Sequence, residues 1–129
     1  MTDALDIHSV PILIVDDCCD TASTLCELLT LKGFRKVSWV TGYDASSNRC
    51  SAHYYGLLLL DMHMSAISGL DVMHHLRNTK PEPSVPVIAI SGDQRYRTVA
   101  IEAGACAFLL KPFDHGEVEA AVYNALSTH

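Results

Sequence analysis

Short runs of apolar residues alternate along the chain with longer stretches in which apolar residues recur every three or four positions. Five runs predict strands: Val10–Val15, Lys36–Val40, Gly56–Leu60, Val85–Ile90 and Cys106–Leu110. Most of them are continuously apolar, which is typical of strands of a parallel sheet that is covered on both faces. Lys36–Val40 alternates instead, through Val37 and Trp39.

The stretches between these runs carry the spacing and the end signals of helices. Five helices are predicted. The first has Asp20 as its N-cap and ends at Gly33, and the second spans Tyr43–His53. The third is capped by Ser68 and ends before Pro81, the fourth spans Arg95–Ala103 and ends at Gly104, and the fifth is capped by Asp114. Five strand-then-helix units in succession predict an α/β fold, with a parallel sheet and helices on both of its faces. We expect a single domain over residues 1–129, with a core from about 10 to 127.

Composition narrows the class of protein. The chain has 129 residues with 15 acidic and 9 basic side chains, for a formal net charge of −6. This balance argues against binding to nucleic acid or to an anionic membrane surface, both of which need clustered Lys and Arg. No apolar run approaches the ~18 residues of a membrane span, and the polar start does not resemble a signal peptide. The 5 cysteines include no C-x-x-C pair, so we expect reduced thiols in a soluble, cytosolic domain.

The chemistry-bearing residues follow the predicted strands. Asp16 and Asp17 follow the first strand, Asp61 the third, Ser91 the fourth and Lys111 the fifth. Strand ends of this kind meet at one edge of an open parallel sheet. Clustered carboxylates repel one another unless a cation such as Mg²⁺, which prefers oxygen ligands, neutralises them. With an ammonium and a hydroxyl beside them, the set suits a carboxylate that accepts a phosphoryl group. Each signal alone is equally typical of a turn or a helix cap, so the prediction depends on their order.

Four motifs in this order resemble the receiver domain of two-component response regulators, of which the chemotaxis regulator is a single-domain form. They are ILIVDD, LLLLDMHM with Gly69 downstream, AISGD and FLLKPF, and the resemblance extends over essentially the whole chain. It implies a flavodoxin-like, doubly wound sheet of five parallel strands in the order 2-1-3-4-5.

The resemblance also implies roles for the acidic residues. Asp61 would be the phosphoacceptor and a ligand of Mg²⁺. Asp17 would be a direct Mg²⁺ ligand, Asp16 would act mainly through water, and the backbone carbonyl of His63 would be a further ligand.

On the other strands, the resemblance implies a switch. Ser91 would form a hydrogen bond to the phosphoryl oxygen, and the Lys111 side chain would pair with that oxygen. The peptide bond between Lys111 and Pro112 would be cis, and Phe108 would be the aromatic switch residue. Three features depart from the family pattern. Ser65 stands where proline is usual, Phe108 lacks the hydroxyl of the frequent tyrosine, and the segment from Ser91 to Lys111 is slightly short.

Two residues are predicted to flank the entrance of the site. His63 lies two positions after Asp61 and Asp93 two positions after Ser91. We hypothesise that they pair across the entrance and control the access of water to an acyl phosphate; two solvated loop residues are the alternative. The other histidines are expected on the surface. The segment Arg95–Arg97 is either a partner patch or a solvated helix face.

The predicted function is a receiver that catalyses its own phosphorylation at Asp61 and slowly hydrolyses the product. The donor would be a phosphohistidine of a sensor histidine kinase or a histidine phosphotransfer protein, and the output would be contact with a downstream protein or an output domain. The initiating Met suggests an authentic N-terminus. The helical C-terminal end is compatible with a following output domain, and the sequence is also compatible with a homodimer. Two alternatives are a pseudo-receiver that is never phosphorylated and a haloacid-dehalogenase-like phosphohydrolase. The latter family has an acidic residue where this chain has His63, and it needs a cap domain for which 129 residues leave no room.

Overall fold

The computed structural model describes residues 6–42, 55–64, 68–79 and 85–127 of the chain, with side chains 77–79 excepted. In chain order the elements are a 3-10 turn Ile7–Ser9, β1 Ile12–Val15, α1 Cys19–Leu31, β2 Val37–Val40, β3 Leu57–Asp61, α2 Gly69–Thr79, β4 Val87–Ser91, α3 Tyr96–Glu102, β5 Ala107–Leu110 and α4 His115–Ser127. The helix predicted over Tyr43–His53 and the departure at Ser65 lie outside the described residues.

The five strands form one parallel sheet in the order β2-β1-β3-β4-β5, which confirms the predicted fold class. The register aligns the strands at their carboxyl ends. Val15 pairs with both Val40 and Leu60, and Asp61 pairs with Ile90. The residues that follow β1, β3, β4 and β5 therefore reach the same edge of the sheet.

Two of the strands extend one residue beyond the apolar runs that predicted them. Asp61 is the last residue of β3 and Ser91 the last of β4. The hydrogen bonds between neighbouring strands continue past both, since Met62 N–H donates to the Ile90 carbonyl at 2.8 Å and Lys111 N–H to the Ser91 carbonyl at 2.8 Å. The backbone of both polar residues is thus fixed by the sheet.

Alternation along the strands separates the core into two layers, one on each face of the sheet. The layer under α1 and α4 includes Ile12, Ile14, Leu57, Leu59, Ile88, Ile90, Leu29, Val118 and Val122. The layer under α2 and α3 includes Leu13, Val15, Leu58, Leu60, Val87, Ala89, Val72, Met73 and Ala100. Because both faces are covered, the central strands are buried throughout, as the continuous apolar runs predicted.

Two of the three predicted helix caps are confirmed. Asp71 N–H donates to Ser68 Oγ at 3.1 Å at the start of α2. At the start of α4, Glu117 N–H donates to Asp114 Oδ1 at 2.8 Å, and Asp114 N–H donates to Glu117 Oε1 at 3.0 Å. This reciprocal pair is a capping box, which satisfies two backbone donors at once.

The prediction of Asp20 as the N-cap of α1 is wrong. The helix begins at Cys19 with Cys18 as its N-cap, so Asp20 lies in the first turn. The helix starts early because Ala22 N–H donates to the Cys18 carbonyl at 3.0 Å, while Cys18 N–H donates to Asp16 Oδ1 at 2.9 Å. The carboxylate that accepts from the backbone at the start of α1 is therefore that of Asp16, which follows β1, and not that of Asp20.

His8 lies at the surface as predicted, with its side chain 32% exposed, but the ring is packed rather than solvated on all sides. Its Nε2 lies 2.9 Å from the Tyr123 hydroxyl, and its ring packs 4.8 Å from that of Phe34. The 3-10 turn that carries it lies against α4, at the edge of the sheet opposite to Asp61. No helix in the described ranges is long and apolar enough to cross a membrane.

Gly33, which ends α1, offers a test of the fold. Its φ is +101°, and an added Cβ would lie 3.2 Å from Cδ2 of His8. We expect Gly33→Ala to lower the free energy of unfolding by about 1–2 kcal/mol, because an L-residue is strained in this conformation. Urea denaturation measures the change. Gly42→Ala is the matched control, since a Cβ there meets nothing within 4 Å. Equal effects of the two substitutions would contradict the argument.

Candidate functional site

Three carboxylates converge at the carboxyl edge of the sheet. One oxygen each of Asp16, Asp17 and Asp61 lies within 4.8 Å of the others. Asp61 ends β3 and Asp16 follows β1, so the in-register pairing of these strands makes the two side chains neighbours. Asp16 and Asp61 are buried, at 0% and 3% exposure, whereas Asp17 is exposed. The cluster thus has two buried members and one member at the surface.

The electrostatics of Asp61 reflect this crowding. Burial, together with the neighbouring Asp16 carboxylate, raises the pKa of Asp61 to about 6. The His63 backbone N–H, which donates to Asp61 Oδ1 at 3.1 Å, and the Lys111 ammonium both act in the opposite direction. The folded chain therefore holds Asp61 in its charged form at a cost in free energy.

Asp16 is held from two sides. Lys111 Nζ donates to Asp16 Oδ2 at 3.0 Å, and Cys18 N–H donates to Asp16 Oδ1 at 2.9 Å. Lys111 follows β5, two strands away from β3, and its side chain is 28% exposed. The ammonium offsets one of the charges in the cluster. The described structure has the cis peptide between Lys111 and Pro112 that the family resemblance implies.

The donor set fits a hard divalent cation. Three carboxylates provide several oxygen atoms, and a cation among them would relieve the repulsion that contributes to the raised pKa of Asp61. Mg²⁺ binds through a small number of carboxylates while retaining water molecules, and the exposed Asp17 leaves one side of the cluster open to solvent.

Ser91 and Phe108 lie on the face of the sheet that α2 and α3 cover. Ser91 is fully buried, and its Oγ accepts a hydrogen bond from Asp93 N–H at 2.9 Å. Phe108 pairs with Ala89, two residues before Ser91 on β4, and is 9% exposed. The guanidinium of Arg97 lies 4.9 Å from the centre of the Phe108 ring, which is within the range of a cation–π contact. The sequence did not predict that the Arg97 guanidinium covers the Phe108 ring.

A groove lies between the loop after β3 and the turn after β4, beside the backbone contact of His63 with Asp61. Its volume is about 470 Å³, and it is lined by His63, Asp93, Arg95, Tyr96 and Val99. The His63 ring packs edge-on against Tyr96, with centroids 4.3 Å apart and planes at 70°. The Asp93 carboxylate accepts from Arg95 NH2 at 2.7 Å and from its Nε at 3.0 Å, and this guanidinium lowers the pKa of Asp93 to about 2. His63 and Asp93 thus face one groove, and their direct pairing stays a prediction.

The structure therefore brings together Asp16, Asp17, Asp61 and Lys111, and the backbone of His63 contacts Asp61. Ser91 ends the neighbouring strand β4, on the face of the sheet that α2 and α3 cover. Sequence reasoning missed the contacts of Arg95 with Asp93 and of Tyr96 with His63. The two-residue spacing of Asp93 and Arg95 was a usable signal for the first contact, because an Asp side chain often accepts from the backbone two residues on, as it does here at 2.9 Å. No signal of this kind exists for the second contact, which joins two separate loops.

Comparison with known proteins gives one consistent family. A profile of the response regulator receiver domain matches residues 12–123. The chain is 28% identical over 113 residues to the phosphate regulon transcriptional regulatory protein PhoB of Escherichia coli (strain K12), covering 86% of this chain and 49% of PhoB. It is 34% identical over 111 residues to the transcriptional regulatory protein CpxR of Klebsiella pneumoniae subsp. pneumoniae (strain HS11286), covering 86% of this chain and 47% of CpxR.

Solved structures agree. The crystal structure of the receiver domain of NtrX from Brucella abortus is similar with a TM-score of 0.75 and 29% identity, covering 92% of this chain and 99% of that one. The chain spans about half the length of the curated relatives PhoB and CpxR.

The raised pKa of Asp61 predicts a dependence of stability on pH. The pKa is about 6 in the folded chain against an ordinary value of 3.8, so between these values the folded state binds more protons than the unfolded state. Without metal, the free energy of unfolding should then fall as the pH rises from about 4 to about 6, and the loss should persist above that range. We expect a loss of about 2 kcal/mol relative to Asp61→Asn, which lacks the titration.

Urea unfolding in a chelator, at several pH values from about 4 to about 8, measures this difference between wild type and Asp61→Asn. If the free energies of unfolding of wild type and Asp61→Asn differ by the same amount at every pH, Asp61 is not destabilised in its charged form. Addition of Mg²⁺ at the highest pH should restore stability to the wild type more than to Asp61→Asn, because the cation binds the carboxylate cluster.

Proposed function

The chain belongs to the response regulator receiver domain family of two-component systems, and on that basis we propose that it accepts a phosphoryl group on Asp61. The observation that carries the proposal is the convergence of three carboxylates within 4.8 Å, with the Lys111 ammonium 3.0 Å from one of them. A cluster of this kind combines a carboxylate nucleophile with positive charge for the transferring oxygens.

In the proposed reaction, a carboxylate oxygen of Asp61 bonds to the phosphorus while the bond from phosphorus to the nitrogen of a donor phosphohistidine breaks. The sheet holds Asp61 at the end of β3, and the His63 N–H fixes one of its oxygens. Asp16, Asp17, Asp61 and the backbone carbonyl of His63 would hold Mg²⁺, which supplies neutralising charge to the phosphoryl oxygens. Lys111 is a second source of positive charge and reaches the site from β5.

We further propose that Ser91 and Phe108 convert the new phosphoryl group into a changed surface. The Ser91 Oγ accepts from Asp93 N–H in the described structure, and its own O–H remains able to donate to a phosphoryl oxygen. A rotation of Ser91 would break the bond to Asp93 and loosen the turn that leads into α3. Phe108 shares that face of the sheet and lacks a hydroxyl, so packing and the Arg97 guanidinium determine its position.

The proposed partners follow from the same chemistry. The donor is a phosphohistidine on a sensor histidine kinase or a histidine phosphotransfer protein, and the recipient of the signal is a downstream protein or an output domain. The curated relatives are about twice as long as the matched region and are named transcriptional regulatory proteins. The acidic net charge of −6 supports protein rather than nucleic-acid contacts for this domain.

Incubation with Mg²⁺ and acetyl phosphate, followed by intact-protein mass measurement, tests the acceptor. We expect a single labile phosphoryl adduct that is absent from Asp61→Asn and retained by Asp71→Asn, an exposed carboxylate on α2. No adduct in the wild type would instead favour a pseudo-receiver. Repeated turnover of unrelated phosphate esters would favour a haloacid-dehalogenase-like hydrolase.

The proposed gate at the entrance predicts altered lifetimes of the acyl phosphate. We expect His63→Ala and Asp93→Ala each to change the first-order rate of phosphate loss by about threefold or more, because the proposed gate places both side chains between solvent and the acyl phosphate. Loss of the adduct mass with time, after removal of the donor, measures the rate. Unchanged lifetimes in both variants would exclude a gate.

A further inference from the structure

A contact between two aromatic side chains joins the loop after β3 to the start of α3. His63 follows β3 and Tyr96 is the first residue of α3, and their rings meet edge-on at a centroid distance of 4.3 Å. Edge-to-face packing of aromatic rings is favourable and directional. The contact therefore fixes the orientation of an imidazole that is otherwise exposed at the mouth of the groove.

Tyr96 is well placed to act as the fixed partner. Its backbone N–H donates to the Asp93 carbonyl at 3.1 Å, and Asp93 N–H donates to Ser91 Oγ at 2.9 Å. The Arg95 N–H donates to the Asp93 carboxylate at 2.9 Å, which closes the turn from the other side. The ring thus stands on a turn that is held by hydrogen bonds and begins at a strand end.

His63 is held at its backbone by a hydrogen bond and at its side chain by the ring contact. Its N–H donates to Asp61 Oδ1 at 3.1 Å, which ties the residue to the proposed acceptor. Asp93, the neighbour expected from the sequence, has its carboxylate engaged by the Arg95 guanidinium at 2.7 Å. The ring of Tyr96 packs directly against the His63 imidazole, which also interacts electrostatically with Asp93.

We propose that Tyr96 is a positioning residue for the proposed acyl phosphate, because it holds the His63 imidazole across the entrance and so slows hydrolysis. This inference rests on the proposed function. In hydrolysis, a water oxygen bonds to phosphorus, the bond from phosphorus to the Asp61 carboxylate oxygen breaks with its electron pair to regenerate the carboxylate, and a water proton passes to solvent. Water approaches from the side opposite to the breaking bond, which is the solvent side of the site.

A double-mutant cycle tests the inference through the rate of phosphate loss after loading with Mg²⁺ and acetyl phosphate. We expect Tyr96→Leu to shorten the lifetime about threefold to tenfold, and His63→Ala to shorten it by a similar factor. Tyr96→Phe should keep the wild-type lifetime, because it retains the ring. In the His63→Ala background, Tyr96→Leu should have no further effect, because its partner is gone.

Val99→Ala is the matched control, since Val99 lines the same groove but carries no ring. Its lifetime should equal that of the wild type. The inference is overturned if Tyr96→Leu leaves the lifetime unchanged, if Tyr96→Phe behaves as Tyr96→Leu does, or if the effects of the two single substitutions multiply in the double variant.

A second measurement needs no phosphoryl group. In proton NMR spectra, the ring current of Tyr96 should displace the His63 ring protons from their ordinary positions, and Tyr96→Phe should preserve the displacement. Undisplaced His63 signals would overturn the inference even if Asp61 is phosphorylated. Displaced signals in a chain that takes no phosphoryl group would contradict the proposed function while supporting the ring contact.

Discussion

The repulsion between two buried carboxylates is the constraint on which the rest of the site depends. Asp16 follows β1 and Asp61 ends the adjacent strand β3, and in-register pairing of β1 with β3 forces them together where water is largely excluded. A free carboxylate pair in such a place is unfavourable, so the structure compensates with Lys111 on Asp16 and with backbone N–H groups on both residues. The negative charge that is still uncompensated would favour the binding of a cation, alone or together with an incoming phosphoryl group.

The compensation comes from elements that are distant along the chain. Lys111 follows β5, and the Cys18 N–H belongs to the start of α1, so the charge balance at Asp16 depends on the whole sheet being closed in its observed order. The strand ends supply rigidity, since the ladder bonds of Met62 and Lys111 continue past Asp61 and Ser91. The turns beyond these strand ends carry His63 and Asp93. A rigid reactive group beside a short, hydrogen-bonded turn is an arrangement in which a local change of charge is able to alter a surface.

Much of the fold could be predicted because it depends on local patterns. The continuous apolar runs at Val10–Val15 and Gly56–Leu60 indicated central parallel strands, and glycines at 33 and 104 marked helix ends that the structure shows with positive φ. Boundaries were less accurate. The start of α1 was misplaced because Asp20 has the chemistry of an N-cap, while the carboxylate of Asp16 already satisfies the chain at Cys18. A local rule could not foresee that competition, because Asp16 is held in place by the sheet.

The sequence by itself determined which chemical groups stand at the strand ends, because each is adjacent in the chain to the apolar run that becomes a buried strand. It thereby determined the convergence of Asp16, Asp17, Asp61 and Lys111, given a parallel sheet. The tertiary structure alone decided which side chains of separate elements meet: Tyr96 against His63 and Arg97 over Phe108. Both contacts join elements that are separated in the chain, so packing geometry rather than residue order sets them.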